Sequence, residues 1–389
     1  MPSSLSTRNA LLIAVLIAVV SFSAGDRLHG QSLNPLAKQP DRIDASSLND
    51  IYAMMQRNFD GKIDAKAALE GARKGLVAAG GDPYTVYMDA AESKALSDDL
   101  SGKLSGVGAE IGIKNNILTV VSPITGAPAE KAGIRAQDMI GKIDGEDTTG
   151  MAVDKAVSKI RGKAGTTVKL TVLHAGATET SDITITRADI NVPSVKWSMK
   201  DGGIGYIKVS TFGTDTTTLI QQAAGELKSQ GATKAILDLR NDGGGYLDAG
   251  VSVASQFLPD GKTVVSERAD GKTVDTLSSR GSGQLAGLPL VVLINGGSAS
   301  ASEIVAGALH DNGVAKLVGE KSFGKGSVQE IKTLPGGAQL KVTVAHWYTP
   351  KGVNINKEGI KPDVEVKLST EDYNASRDPQ LDKAIELLR

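Results

Sequence analysis

The sequence predicts a multidomain α/β protein with a helical N-terminal segment, then a small β-domain, then a layered α/β core. Residues 46–102 place apolar side chains at three- and four-residue spacings, which is typical of amphipathic helices. From about Val107 short β-rich runs replace that pattern, and residues 200–365 alternate strands with helices. A chain of 389 residues is long enough for two or three domains with hydrophobic cores.

The N-terminus carries one apolar run, residues 10–24, after Arg8. As a helix this run would span roughly 22 Å, less than the roughly 30 Å of a bilayer core, which favours a signal peptide that ends near Ser21-Phe22-Ser23. A retained single-span anchor stays open, and residues 10–24 would then hold the chain at the membrane. We therefore expect an exported protein.

Changes in composition along the chain predict six parts. These are a signal peptide or membrane anchor (1–25), a linker (26–45), a helical region (46–102), the β-domain (103–190), the core (191–366) and a C-terminal helical tail (367–389).

The predicted elements follow in order. The helical region contains "LNDIYAMMQRNF" and "AKAALEGARKGLVAA", then a break at "GGDPYT" and a shorter helix in "SKALSDDLSGKL". The β-domain has strand candidates in "GAEIGI", "NILTVVSPI", "VKLTVLH" and "SDITITR", and two short helices in "APAEKAGI" and "AVDKAVSKIRG". The core has strands in "GIGYIKVS", "KAILDLR", "LPLVVLIN", "AKLVGE" and "QLKVTVAHWY", with helices in "TTTLIQQAAGELKSQG", "LDAGVSVASQFL" and "ASEIVAGALHDNG". A last helix is predicted in "DPQLDKAIELLR".

The composition excludes several kinds of site. A net charge of −1 gives no electrostatic reason to expect nucleic acid or an anionic membrane surface as a partner. The absence of cysteine excludes disulfides, zinc–cysteine sites and thiol catalysis. No motif implies a metal or a cofactor, and we expect neither.

The segment "LINGGSASASEIVAGAL" (293–309) joins an apolar strand to a helix at the carboxyl edge of the predicted sheet, where α/β proteins place their chemistry. Ser300 and Glu303 fit a capping box, which alone would explain them. A nucleophile is the other interpretation, because the unpaired Ala301 N–H at the helix start would stabilise an oxyanion. We interpret Ser298 as part of the turn and Ser302 as helix surface.

A serine nucleophile needs a base, and no histidine stands in a suitable position. His310 is roughly 15 Å further along the same helix, and His346 lies inside a strand pattern. The candidate is Lys325 in "GKG", whose pKa must fall from about 10.4 to about 7–8 for this role. Gln329 is a neutral group that could orient the lysine, whereas "GKG" as a surface turn is the alternative.

The stretch "LDLRNDGGGYL" (237–247) ends a strand in three glycines that present bare backbone amides. It lacks the spacing of a phosphate-binding loop. An oxyanion donor at Gly244 N–H and a simple turn both stay open.

Together these segments resemble the carboxyl-terminal processing proteases, which are serine peptidases with an inserted PDZ domain. The resemblance runs from about residue 46 to the end of the chain and rests on eight motifs in the family's order. The motifs are "GDPYTVYM", "LSGVGAEIGI", "SPITGAPAEKAGIRAQDMI", "IRGKAGTTVKL", "GSASASEI", "GEKSFGKGSVQ", "TPKGVNINKEGIKPDVEV" and "DPQLDKAIELL". It implies a ClpP/crotonase-like layered protease core with the PDZ domain inserted after the N-terminal helices.

The resemblance implies Ser300 as nucleophile, Lys325 as base and Gln329 as its support, with the Gly244 and Ala301 amides as oxyanion donors. The 25-residue separation of serine and lysine agrees with the family. One departure concerns the oxyanion loop, where relatives usually have Asn-Pro-Gly-Gly and this chain has "NDGGG". We expect that loop to be more flexible here.

The resemblance also implies that the PDZ domain binds a substrate's C-terminus by β-augmentation. The carboxylate loop would be residues 106–109. Two alternatives stay open: Leu104 and Ile111 as ordinary core residues of the domain, and Arg161 as a solvated residue at a helix end. The implied pocket residues are Leu104, Gly106, Val107, Gly108, Ala109 and Ile111, and the implied regulatory link to the core is Arg161.

Expected partners are proteins or peptides with free C-termini, with an activating adaptor and a homo-oligomer left open. The resemblance places the exported chain in the bacterial cell envelope, in the periplasm or on the outer face of the cytoplasmic membrane. Two other functions stay open: a catalytically silent PDZ scaffold that binds C-terminal peptides, and an unrelated hydrolase such as an esterase. The presence of both Ser300 and Lys325 favours the protease.

Overall fold

The computed structural model describes residues 44–389 except positions 125, 152, 175, 282, 370, 373 and 374. The predicted signal peptide or anchor and residues 26–43 of the predicted linker lie outside the described residues. No helix within the described part of the chain is both long enough and apolar enough to cross a membrane. The chain divides into a unit that ends at Ala68 and a unit that begins at Leu69.

The first two helices agree with the predicted periodicity. Helix α1 (Ser46–Asn58) and helix α2 (Ala65–Ala78) bury none of their residues. In α1 the apolar side chains of Leu48, Ile51 and Met54 are all more than half exposed. This helix therefore presents apolar surface to solvent.

The break at "GGDPYT" leads into strand β1 (Val86–Met88) and helix α3 (Ala90–Leu100). The carboxylate of Asp89 caps the start of α3 by accepting hydrogen bonds from the backbone amides of Ala91 and Glu92. The helix then leads directly into the β-domain.

The β-domain is a small barrel-like sheet with two short helices, as predicted. Its main sheet has the strand order β3–β4–β5–β7–β8, and strands β2 and β9 pair antiparallel where the chain enters and leaves the domain. The elements are β2 (Lys103–Gly106), β3 (Ala109–Lys114), β4 (Ile117–Pro123), α4 (Pro128–Lys131), β5 (Met139–Ile143), β6 (Glu146–Asp147), α5 (Val153–Ile160), β7 (Thr167–Leu173), β8 (Ser181–Thr186) and β9 (Ala188–Asn191). Val120, Ile140 and Val172 are fully buried at its centre.

The core is built on a six-stranded sheet in which all strands but the first run parallel. In spatial order the strands are β10 (Val195–Lys200), β11 (Ile204–Val209), β12 (Lys234–Asp238), β15 (Leu290–Ile294), β16 (Ala315–Gly319) and β19 (Val364–Glu365). Near-continuous apolar strands of this kind are covered on both faces. One face carries α6 (Thr216–Ser229), α7 (Leu247–Ser255) and α8 (Ala301–Asp311), and the other carries α9 (Pro379–Leu388).

A second sheet was not predicted as a separate layer. Its strands are β13 (Thr263–Ala269), β14 (Lys272–Ser278), β17 (Ser327–Thr333) and β18 (Gln339–Tyr348), joined by β1 at the edge of β18. Val265 and Trp347 from this sheet share a core with Val305 of α8. The sheet thereby places β17 and the residues just before it next to the start of α8.

Candidate active site

Ser300 lies at the turn between β15 and α8, at the carboxyl edge of the parallel sheet. It is the residue before the first helical position, and its backbone adopts φ +54° and ψ −116°. A positive φ is uncommon for a residue with a side chain, and such strain costs about 1–3 kcal/mol. The half-buried Ser300 is therefore held in a tight strand-to-helix turn by the structure around it.

The two neighbouring serines have structural roles. Ser298 donates its hydroxyl to the Leu239 carbonyl at 2.8 Å, in agreement with a turn residue. The prediction that Ser302 lies on the helix surface is wrong, because Ser302 is fully buried and its hydroxyl donates to the Asp242 carbonyl at 2.8 Å. Its bond draws the glycine-rich loop against the start of α8.

Glu303 does more than cap the helix. It accepts the Ser300 amide at 2.9 Å, which is half of the predicted capping box. The same oxygen, Oε2, also accepts the Lys325 amide at 2.9 Å. Its other oxygen, Oε1, accepts the Ser322 hydroxyl at 2.6 Å and the Gly324 amide at 2.7 Å. The fully buried Glu303 carboxylate therefore fixes the backbones of the predicted nucleophile and base relative to each other.

Lys325 is half-buried just before β17. Burial lowers the pKa of Lys325 from its ordinary value, and Lys341 lowers it further, while Glu303 and Asp82 act in the opposite direction. The ammonium nitrogen lies 5.3 Å from the centre of the Tyr84 ring. The direction of this shift is the one that a lysine base requires.

Close packing explains the glycines on either side of this lysine. Gly324 has φ +93°, and a Cβ there would lie 2.8 Å from the Gly359 amide nitrogen. A Cβ on Gly326 would lie 2.7 Å from the Asn356 amide nitrogen. The "GKG" segment is thus packed against residues 356–359 and is not a free surface turn.

Gln329 lies on β17, four residues after Lys325. Its amide nitrogen donates to the Ser327 hydroxyl at 2.8 Å and the Thr343 hydroxyl at 3.3 Å. Thr343 in turn donates to Asp82. Gln329 is therefore linked through Thr343 to Asp82, one of the groups that act on the pKa of Lys325.

The two predicted oxyanion donors differ. Ala301 N–H is the first amide of α8, and no described group accepts its hydrogen bond. Gly244 N–H donates to Asp242 Oδ1 at 2.9 Å. Gly244 has φ +98°, and a Cβ there would lie 2.8 Å from the Ser300 Cβ, so its backbone lies directly beside the serine.

An ion-pair network anchors the strand that leads to this loop. Arg240 binds Asp238 through two nitrogens, at 2.9 Å and 2.6 Å, and reaches Asp378 at 2.8 Å. Tyr206 donates to the same Asp238 at 2.7 Å. The end of β12 is thereby tied to the start of α9.

Ser300, Ala301, Gly244, Lys325 and Gln329 all line one cavity. Its apolar wall is formed by Leu96, Leu100, Leu247, Ile304 and Val328. Neither His310, which lies 3.1 Å from Asp363, nor the exposed His346 lines this cavity.

Comparisons with known proteins give three family matches. A model described as peptidase family S41 matches residues 203–366, a PDZ domain model matches 96–173, and a model described as the N-terminal domain of the activating protease CtpB matches 26–92. The carboxy-terminal processing protease CtpA of Bacillus subtilis is 38% identical over 82% of this chain and 68% of its own length. The chain belongs to the carboxyl-terminal processing proteases.

Other relatives agree with this family. A carboxy-terminal-processing protease of Bartonella bacilliformis is 37% identical over 91% of this chain and 82% of its own. The solved structure of a photosystem II D1 C-terminal processing protease is 34% identical, with a TM-score of 0.53, over 84% of this chain and 89% of its own. A putative S41 protease structure from Bacteroides fragilis is 17% identical with a TM-score of 0.62, over 90% of this chain and 99% of its own, which shows the shared fold.

The PDZ domain of this processing protease has a groove of its own. Gly106, Val107, Gly108, Ala109 and Ile111 all line one cavity with an apolar floor. Leu104 lies in β2, where its backbone pairs in register with Ile190; its side chain lies outside the described part of the structure.

Arg161 lines the same groove. Its guanidinium also lies 3.6 Å from the Asp99 carboxylate, with both side chains about half exposed. Asp99 belongs to α3, whose Leu96 and Leu100 form part of the wall of the cavity that Ser300 lines. Helix α3 therefore contacts Arg161 of the PDZ groove and also lines the candidate active site.

Sequence reasoning missed three groups at the site. Asp82 and Tyr84 approach Lys325 from the "GDPYT" segment, where the sequence pattern predicts only a helix break. The buried carboxyl of Asp242 contacts the predicted oxyanion donor. Only the unusual "NDGGG" sequence signalled this last contact.

Proposed function

We propose that this processing protease is a serine endopeptidase that uses a Ser300–Lys325 dyad. The observation that carries the proposal is the position of Glu303 Oε2, which accepts the amides of both residues at 2.9 Å and so holds them at one cavity. The lowered pKa of Lys325, caused first by burial, supports its role as the base.

In the proposed acylation step, neutral Lys325 accepts the hydroxyl proton of Ser300 as the serine oxygen attacks a peptide carbonyl carbon. The carbonyl oxygen becomes the oxyanion, which receives hydrogen bonds from Ala301 N–H and Gly244 N–H. The lysine ammonium then gives its proton to the leaving amine nitrogen as the C–N bond breaks. Water, deprotonated by Lys325, then attacks the resulting ester; the carbon–oxygen bond to Ser300 breaks, the peptide leaves with a new C-terminal carboxyl group, and the lysine ammonium returns its proton to the Ser300 oxygen. Gln329 positions the lysine through its hydroxyl neighbours.

We propose that the PDZ groove selects substrates by their C-terminal tails. A peptide would extend the sheet and place its carboxylate at residues 106–109, where no described group accepts the amides of Val107 and Gly108. The groove's apolar floor supports a preference for apolar C-terminal side chains. The Arg161–Asp99 contact would then link tail binding to α3 and the catalytic cavity.

Export to the bacterial cell envelope is part of this proposal and rests on residues 10–24. The exposed apolar residues of α1 support a partner at the N-terminal helices, either a second copy of the chain or an activating adaptor. Cell fractionation tests the first point, and the molar mass of the purified chain in solution tests the second.

The test is cleavage of an unfolded protein that ends in an apolar C-terminal tail. Wild type should cut it, and Ser300→Ala and Lys325→Ala should not. Lys321→Ala is the matched control, because Lys321 is an exposed lysine of the same loop. A catalytically silent scaffold would bind the tail without cleavage, and cleavage by Ser300→Ala would overturn the dyad.

A further inference from the structure

The oxyanion loop contains a buried acid with no counter-charge. Asp242 is fully buried, and its Oδ1 accepts the Gly244 amide at 2.9 Å. Its Oδ2 is buried and has no hydrogen-bond partner among the described residues. An ionised carboxylate in such a place is poorly compensated, because one of its oxygens receives neither a donor nor a cation.

The surrounding elements supply no ion pair to this carboxyl within the described part of the chain. Arg240 on the same segment binds Asp238 and Asp378. The carboxylate of Glu303 binds four groups of its own, as described above. The elements around this loop carry the charged groups Arg240 after β12, Asp215 before α6, Asp248 in α7, Glu303 in α8 and Lys325 before β17.

The amide that Asp242 occupies is the one that the proposed mechanism needs. Gly244 N–H cannot give its full hydrogen bond to a substrate oxyanion while it donates to Asp242 Oδ1. A bond to an ionised carboxylate is roughly twice as strong as one to a neutral acceptor, so ionisation strengthens the competing contact. A buried negative charge beside the oxyanion would also oppose the charge that forms in the transition state.

We propose that Asp242 controls the oxyanion donor, supporting catalysis when it is neutral and withholding Gly244 N–H when it is ionised. The inference rests on the proposed function of Ser300 and Lys325. Asp242 is a positioning residue, because it acts on the reaction through the Gly244 amide. Its backbone carbonyl, which accepts the Ala299 amide and the Ser302 hydroxyl, keeps the loop in place in either state.

The titration of Asp242 falls in the working range of an envelope enzyme. Burial raises the pKa of Asp242 to about 7, against the opposing effects of the Gly244 amide and Ser302. Activity should therefore rise with pH as Lys325 becomes neutral and fall again as Asp242 ionises. The product of the two titrations is a bell-shaped profile, whose alkaline fall requires that Asp242 lose its proton.

The test compares wild type with Asp242→Asn, which has nearly the same shape and carries no charge. The rate constant kcat is measured from pH 5 to pH 9.5 at saturating peptide substrate, with thermal unfolding followed at each pH to show that the variants are folded. We expect Asp242→Asn to lose the alkaline fall and to exceed wild type about tenfold or more at pH 9, with little change in KM, because one oxyanion donor is worth about 10²–10³ in kcat. Asp242→Ala, which removes the acceptor and keeps the backbone, should also lose the alkaline fall.

Asp248→Asn is the matched control, because Asp248 is an exposed acid six residues further along that lies 3.7 Å from Arg280 and does not line the cavity. Its profile should equal that of wild type. A profile of Asp242→Asn that superimposes on wild type, with activity still dependent on Ser300, overturns the role of Asp242 alone. Activity that survives Ser300→Ala overturns the proposed function and this inference with it.

Discussion

Replacing Glu303 by glutamine changes one atom at the point where the serine and lysine segments meet. The carboxylate accepts four hydrogen bonds, two at each oxygen. A glutamine keeps only one of these oxygens, and its NH₂ group takes the place of the other. The NH₂ group fits better at the Oε1 position, because the Ser322 hydroxyl there can rotate to accept a hydrogen bond. The Gly324 amide cannot accept, so this buried donor is left without a partner.

The cost follows from the two hydrogen bonds that are lost or weakened. Bonds to a charged acceptor contribute about 1.5–3 kcal/mol each, so Glu303→Gln should reduce the free energy of unfolding by about 3–6 kcal/mol. The Gly324 backbone, directly beside Lys325, also loses its anchor, and a displacement of about 1 Å at a catalytic group costs about 10²-fold in kcat.

Urea unfolding and peptide hydrolysis measure the two effects. Glu358→Gln is the control, since Glu358 is exposed on the segment that packs against the same loop, and its change should stay within about 0.5 kcal/mol. If Glu303→Gln unfolds within about 1 kcal/mol of wild type and keeps its kcat, the carboxylate does not hold the site together.

Three further results are expected. Burial raises the pKa of Asp242 from 3.8 to about 7, so its contribution to stability is fully present below about pH 4 and is lost as the pH rises through about 7. In urea titrations the free energy of unfolding of wild type should fall by up to about 4 kcal/mol over that range, and that of Asp242→Asn should not. Since burial lowers the pKa of Lys325, the acid limb of activity should have its midpoint below the ordinary lysine value, and Lys325→Arg, which stays charged, should be inactive at every pH in the same hydrolysis assay. Arg161→Ala removes an exposed contact with Asp99, so it should change stability by less than about 1 kcal/mol but reduce the preference for substrates with an apolar C-terminal tail over tail-less ones; an unchanged preference would refute the link.

The start of α8 could be predicted because its signals are local. An apolar strand, a short polar turn and a serine three residues before a glutamate specify the helix start within a few positions. The other partners of Glu303 come 19 to 22 residues later in the chain, and nothing in a capping pattern indicates them.

The second sheet was harder to predict because its local pattern is weak and its contacts join residues that are far apart in the chain. β14 is mostly exposed and lacks a clean alternation of buried and exposed residues, so its pattern is weak. The contact between Asp82 and Thr343 joins residues 261 positions apart. Ser302 was placed on the surface because its local pattern is polar, whereas its burial depends on the Asp242 carbonyl from another loop.

The most direct test of the Ser300–Lys325 assignment is detection of the acyl-enzyme. A slowly released ester substrate is mixed with the protein, the reaction is quenched in acid, and the position of the added mass is found by peptide mapping. We expect the acyl group on Ser300 in wild type, none in Ser300→Ala, and acylation slowed by about 10³-fold or more in Lys325→Ala. An acyl group on another residue, or rapid acylation of Ser300 without Lys325, would contradict the assignment.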